Sequence, residues 1–209
     1  MFHLALLWIS WCMLHSLLIT GRLNRWIRKK GGFLEGVYRI FYILFSIFSL
    51  IPVLWYQYSL PQKRLFSWQG WWRIPQFFLL FYAITLFWYG KKNYDMNYFL
   101  GISQWQRYRQ GQPSRPLPFY CSGILQYVRH PWYSGGLALL WSAGPITDAS
   151  LLAKIILSLY LIAGTLLEEQ KLCQELGERY VRYCRQVPML VPWKGKVALN
   201  KDQLHPPPP

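Results

Sequence analysis

The chain has 209 residues, 53% of them hydrophobic and 19% aromatic, a balance too apolar for an ordinary soluble domain. Its formal charge of +15 would suit a nucleic-acid binder, but apart from Lys154, inside the fifth apolar run, the cations lie between the apolar runs and in the tail after residue 168, a distribution that speaks for membrane topology instead.

Residues 2–20 form the first apolar run, with no basic stretch ahead of it and no small-residue cleavage pattern behind it. A retained helix rather than a signal peptide is expected. Within it, His15 is either a functional group of a membrane helix or a hydrogen-bond partner of a neighbouring helix. Segment 21–39 then carries Arg22, Arg25, Arg28, Lys29, Lys30 and Arg39, and residues 40–56 form the second apolar run. Only Lys63, Arg64 and Arg73 fall in segment 57–73. The third run, 74–89, is bracketed by Trp71-Trp72 and Trp88-Tyr89, as interfacial aromatic belts are. Segment 91–131 is basic and aromatic, and a connection of that length with that content predicts an ordered cap. Runs four (132–147) and five (151–167) are joined across Gly144-Pro145, a turn signal for a tight helical hairpin.

A bilayer core of roughly 30 Å takes about 20 helical residues. The reading is an all-α integral membrane protein with about five transmembrane helices. Cations concentrate in segments 21–39 and 91–131 and after residue 168, which by the positive-inside rule puts the N-terminus outside and the C-terminus in the cytoplasm. Anionic membrane lipids, not nucleic acid, are the partner that this charge fits. After Glu169, Leu172, Leu176, Tyr180, Tyr183 and Val187 recur at helical spacing, with Glu175/Arg179 and Glu178/Arg182 as i,i+4 pairs. They predict one amphipathic helix along the cytoplasmic surface, ended by Val187-Pro188. Residues 1–200 read as one membrane-embedded domain and 201–209, with four terminal prolines, as a disordered tail. Cys12, Cys121, Cys173 and Cys184 lack metal-site spacing and read as reduced thiols, so no metal is expected.

Two polar motifs stand out. Arg129-His130-Pro131 opens the fourth run, with proline as a helix-start signal. Arg129 and His130 would then sit at a helix N-terminus, which favours a carboxylate, unless Arg129 snorkels to lipid phosphate and His130 faces water. Glu168-Glu169 lie at the end of the fifth run, where acids oppose the helix dipole and need a cation. Lys171, Arg179 or Arg182 could supply it, or a ligand's ammonium or ribose hydroxyls could meet the carboxylates. The topology puts both motifs on one membrane face, so a ligand holding a carboxylate and an ammonium would satisfy both.

Gly123, Tyr127, Arg129-His130-Pro131-x-Tyr133-x-Gly135, Glu168-Glu169-x-x-Leu172, Gly177-x-x-Tyr180-x-x-Tyr183 and Val187-Pro188 together resemble the isoprenylcysteine carboxyl methyltransferase and phospholipid methyltransferase superfamily. The likeness is greatest to its methanethiol S-methyltransferase branch. This resemblance implies S-adenosylmethionine as cofactor, bound in the half 120–194 by Arg129, His130, Pro131, Tyr133, Gly135, Glu168, Glu169, Tyr180 and Tyr183. It implies methyl transfer by in-line displacement to a small or lipid-soluble acceptor. Carboxyl-methylating relatives carry an arginine just before Val-Pro, where this chain has Gln186 with Arg185 one place earlier. A thiol therefore leads, with isoprenylcysteine carboxyl methylation behind it. A thiol must ionise to react, and Arg185, Arg182 or His130 could stabilise the thiolate. NnrU-like proteins and ζ-carotene isomerases share a similar first helix and an Arg-His-Pro element, so a haem held by His15 and His130 is the alternative.

Overall fold

The computed structural model describes residues 1–112 and 121–198, without the side chains of residues 21, 22, 24, 25 and 28. In chain order these residues form α1 (Phe2–Ile19), α2 (Gly21–Lys30), α3 (Gly32–Ser59), a short strand β1 (Arg64–Phe66), α4 (Arg73–Lys91), α5 (Met96–Leu100) and α6 (Ile102–Arg109). There follow α7 (Pro131–Ser142), β2 (Ile146–Thr147), α8 (Asp148–Leu176) and α9 (Glu178–Gln186). The two strands pair with each other. The expected tail, 201–209, lies outside the described residues, as does the part of the expected cap from 113 to 120.

Among the described residues, α1, α3 and α8 are long and apolar enough to cross a membrane. Their outward side chains are apolar: Phe48 is 63% exposed, Trp55 73% and Leu159 64%. An aqueous surface would not carry so continuous an apolar coat. The other two apolar runs fold differently. Residues 74–89 lie in α4, a helix with Arg73 and Lys91 at its ends, and residues 132–147 give a helix of only 12 residues. Twelve residues reach about 18 Å at 1.5 Å each, short of a hydrocarbon core of roughly 30 Å.

The chain's contacts gather into two compact units. The first takes, among the described residues, 1–65, 95–112 and 146–157. Its core packs Leu4 and Trp8 of α1 with Val53 of α3 and Ala149 and Ala153 at the start of α8. Several polar side chains inside this unit are paired across helices, as an apolar setting favours. Trp8 Nε1 donates to Gln57 Oε1 at 2.9 Å, and Trp11 Nε1 to Ser49 Oγ at 3.2 Å. The Tyr42 hydroxyl lies 2.7 Å from His15 Nε2, so His15 meets a neighbouring helix through a hydrogen bond. The turn before α8 is held by Asp148, whose Oδ1 accepts from the Lys63 and Ala149 amides, while its own amide donates to Lys63 O. The expected tight link at 144–148 thus contains a short strand as well as a turn.

The second unit takes, among the described residues, 66–94, 121–145 and 158–198. Small residues let α4 and α7 touch: a Cβ on Gly135 would stand 3.3 Å from Ala83 O, and one on Gly90 only 2.4 Å from Trp132 Nε1. Side chains bridge the two helices, Gln76 Nε2 donating to Ser142 O at 2.9 Å and the Tyr82 hydroxyl meeting Ser134 Oγ at 2.8 Å. The amphipathic helix expected after Glu169 is broken. Gly177, at φ +59°, ends α8 and starts α9 on a new axis, a conformation that a side chain would strain. Glu175 and Arg179 therefore belong to different helices, and Glu175 pairs with Lys171 at 3.8 Å instead. As expected, α9 stops before Val187-Pro188, with Val187 extended.

Candidate active site

The second unit brings the two polar motifs together. His130 is the N-cap of α7 and Pro131 its first residue, where the missing amide proton costs nothing. Two backbone hydrogen bonds pin this helix start to the segment after α9: the Arg129 amide donates to Pro188 O at 2.9 Å and the His130 amide to Met189 O at 3.1 Å. The Arg129 side chain then reaches α8. Its Nε and Nη2 donate to Glu169 Oε1 and Oε2 at 2.6 and 2.8 Å, a bidentate pair. Its Nη1 donates to Cys184 O at 2.7 Å and to Val187 O. Those carbonyls belong to the end of α9, where a helix has no partners of its own for them. One guanidinium therefore ties together the start of α7, the end of α8 and the end of α9.

Around this clamp the side chains are mostly covered: Arg129 is 8% exposed, Glu169 16% and His130 4%. His130 Nε2 lies 3.0 Å from Glu169 Oε1, and the Tyr180 hydroxyl is 3.5 Å from the same oxygen. Burial works against the Arg129 charge, yet the hydrogen bonds and charge of Glu169 outweigh it and push the guanidinium above its ordinary pKa. Burial and then Glu169 push the Tyr180 phenol up as well. Tyr183, equally buried, donates to Leu125 O at 2.6 Å and fixes α9 to the turn at Gly123–Gln126.

Glu168 differs from its neighbour. It is 42% exposed, with His130 Nδ1 at 4.0 Å. Burial and then the charge of Glu168 push the Tyr133 phenol up, and the Tyr133 ring lies against Gly164 of α8, where a Cβ would be 3.6 Å from Tyr133 Cε1. The cation that compensates Glu169 is thus Arg129, forty positions back in the chain, rather than Lys171, Arg179 or Arg182. Residues 3–184 match the NnrU protein family.

The chain belongs to the NnrU family. It is also similar along most of its length to methanethiol S-methyltransferases. It is 26% identical to methanethiol S-methyltransferase 1 of Bradyrhizobium diazoefficiens, over 88% of this chain and 64% of that one. It is 29% identical to the methanethiol S-methyltransferase of Crocosphaera subtropica, over 87% and 71%, and 31% identical to that of a Pseudomonas species, over 82% and 65%. The chain thus spans just under two thirds of the length of the first and third of these relatives. No solved structure matches it.

In this NnrU-family chain, Arg129, His130, Glu169 and Tyr180 converge, with Tyr133 and Glu168 beside them. Pro131 and Gly135 shape α7 rather than offer polar groups. Arg182 and Arg185 lie on the exposed side of α9, about 200° around the helix from Tyr180 and Tyr183 respectively. Tyr82 and the carbonyls of Cys184 and Val187 escape the sequence reading. Tyr82 has a sequence signal, since a hydroxyl inside an apolar run needs a partner; the backbone carbonyls have none.

Burial raises the thiol of Cys184 to about 11, against the pull of Arg129, and that of Cys121 to about 12. Both stay protonated at pH 8. Iodoacetamide should therefore modify Cys184 about a hundredfold more slowly than a free cysteine at that pH, the rate rising about tenfold per pH unit towards pH 11. Peptide mass spectrometry after timed quenching measures this, and free-cysteine kinetics at pH 8 would contradict it.

Proposed function

We propose that this chain is a membrane methyltransferase that uses S-adenosylmethionine to methylate a small or lipid-soluble thiol, a reaction of the methanethiol to dimethyl sulfide type. One observation carries the reading: Glu169 closes on Arg129 and His130, leaving Glu168 half exposed beside Tyr133, within the stretch that matches the methanethiol S-methyltransferases. The residues fit such a cofactor. Glu168 offers a carboxylate to its ammonium or ribose hydroxyls, and the N-terminus of α7, which lacks a side-chain cap, offers a positive dipole to its carboxylate. Arg129, whose three nitrogens are engaged, shapes that site and acts on the cofactor through His130 and the backbone it holds.

When bound, the cofactor supplies a methyl group activated by a sulfonium. The protein's part is chiefly positioning, with α7 and α8 locked by the clamp and Tyr180 and Tyr183 packed behind it. The acceptor thiol must lose its proton; Arg182 and Arg185, the cations the sequence offers for a thiolate, lie on the exposed side of α9, so they would meet an acceptor arriving from that surface. Gln186 weighs against a carboxylate acceptor of the isoprenylcysteine kind. The haem alternative has less support, because His15 Nε2 meets Tyr42 and His130 Nε2 meets Glu169. We place the protein in a bacterial-type inner membrane or plasma membrane as one domain, N-terminus outside, with the site facing the cytoplasm and anionic lipids around its basic segments.

Cells expressing the chain and fed methanethiol should release dimethyl sulfide, measured by gas chromatography, well above cells expressing His130→Ala. Feeding a prenylated cysteine analogue in parallel separates the two acceptor classes. Purified protein that shows a Soret band and no S-adenosylmethionine binding would overturn the reading.

A further inference from the structure

The segment that follows α9 is irregular, yet six of its consecutive carbonyls accept hydrogen bonds. Val187 O accepts from Arg129 Nη1, Pro188 O from the Arg129 amide at 2.9 Å, and Met189 O from the His130 amide at 3.1 Å. Leu190 O accepts from the Tyr82 hydroxyl at 3.4 Å, and Val191 O and Pro192 O from the Trp193 and Gly195 amides at 2.9 and 3.3 Å. Pro188 and Pro192 have no amide proton to place. Every side chain from Val187 to Trp193 is apolar or aromatic. A loop in water can leave its carbonyls to the solvent. One whose carbonyls are all engaged within the protein meets the demand that a bilayer makes.

The outer side of this segment is uncovered. Val187 and Pro188 are buried and Met189 and Leu190 half-buried, but Val191 is 64% exposed and Trp193 73%. Tyr82, which holds Leu190, lies more than two turns inside the Lys91 end of α4, next to the exposed Phe78 and Phe81. Leu190 is therefore level with an apolar, outward-facing stretch of that helix. Cations frame the segment. Arg182, Arg185, Lys194 and Lys196 are exposed, and residues 179–198 include no acid. Lys194 Nζ donates to Arg185 O at 3.1 Å and lies 4.9 Å from the centre of the Trp193 ring. An apolar edge ended by a tryptophan and lysines suits the boundary between hydrocarbon and headgroups, where each cation favours anionic lipid about fivefold.

We propose that residues 187–193 form a membrane-seated strap, with Val191 and Trp193 in the lipid boundary and Arg185, Lys194 and Lys196 on the phosphates of an anionic leaflet. The partner is the lipid itself. The strap joins it to the site, because its carbonyls are the ones that hold Arg129 and His130. The inference rests on the membrane reading above and deepens it.

Nitroxides carried on p-acetylphenylalanine, which spares the native thiols, test it when placed singly at Phe48 of α3, at Val191 and at Ala198. The full chain is reconstituted in phosphatidylcholine vesicles with and without phosphatidylglycerol. Accessibility to oxygen, which dissolves in hydrocarbon, is compared with accessibility to a neutral nickel chelate, which stays in water. The oxygen-to-nickel ratio at Val191 should approach that at Phe48 and exceed that at Ala198 several-fold. Phosphatidylglycerol should raise the ratio at Val191, and Lys194→Gln combined with Lys196→Gln should abolish the rise. A ratio indifferent to phosphatidylglycerol in the chain with both lysines would overturn the choice of an anionic leaflet. A nickel-accessible Val191 beside an oxygen-accessible Phe48 would overturn the strap and leave the membrane reading standing. Low accessibility to both reagents at Val191 would mean that protein covers it, a second copy if the spectra are dipolar-broadened, and would overturn the strap as well. A Phe48 open to nickel would overturn both.

Discussion

Arg129→Ala should lower the stability of the solubilised protein by about 3–5 kcal/mol, the usual cost of removing one partner from a covered ion pair. Two losses combine. Glu169, only 16% exposed, would be left with the His130 ring and the Tyr180 hydroxyl as its neighbours, and the Cys184 and Val187 carbonyls would lose their donor at the end of α9. The second loss is local, so α9 should detach before the rest of the second unit unfolds. Limited proteolysis should then cut near Gly177 at a denaturant concentration that spares the wild type. Arg129→Lys should recover only part of the stability, because an ammonium cannot present a fork to both carboxylate oxygens while also bonding two carbonyls. The double variant Arg129→Met with Glu169→Leu should return most of the stability, since well-packed apolar replacements commonly match a buried pair. Unfolding in mixed micelles measures all four proteins. An Arg129→Ala variant as stable as the wild type, with α9 equally protected, would mean that the clamp contributes nothing.

The parts of this protein that could be read from its sequence are those governed by local periodicity. The runs behind α1, α3 and α8 are legible because a membrane helix must be apolar almost all round, and the start of α7 because Pro131 marks it. The short α7 is less legible. Residues 132–147 are largely apolar, and although Gly144-Pro145 signals a turn, nothing ahead of it marks Ser142 as the helix end or Ile146-Thr147 as a strand. The break at Gly177 is hidden for a related reason. Tyr180, Tyr183 and Val187 continue the spacing of Leu172 and Leu176 across it, so the pattern survives although the axis changes. At the site, the need of Glu168-Glu169 for a cation follows from electrostatics alone, but sequence reasoning offers only neighbours in the chain as partners. The actual partner is set by how α7 and α8 pack.

That packing also separates two residues that the sequence presents as a unit. Adjacent positions on a helix point about 100° apart, so Glu168 and Glu169 of α8 need not share a task. Glu169 points into the Arg129–His130 clamp, and Glu168 stays 42% exposed with His130 Nδ1 at 4.0 Å. Glu169→Gln should cost about 2–3 kcal/mol of stability, because the amide brings a donor where Arg129 needs a second acceptor and removes a charge that Arg129 depends on. Glu168→Gln should change stability by less than about 0.5 kcal/mol, as a substitution at a hydrated edge usually does, yet weaken S-adenosylmethionine binding by about tenfold or more. The contrast, rather than either number, is the informative result. Loss of donor binding in a Glu168→Gln protein that unfolds like the wild type would assign that carboxylate to the ligand. If Glu169→Gln were instead the stable, non-binding variant, the clamp would be the ligand site, and Arg129 would have to release Glu169 to take up a cofactor.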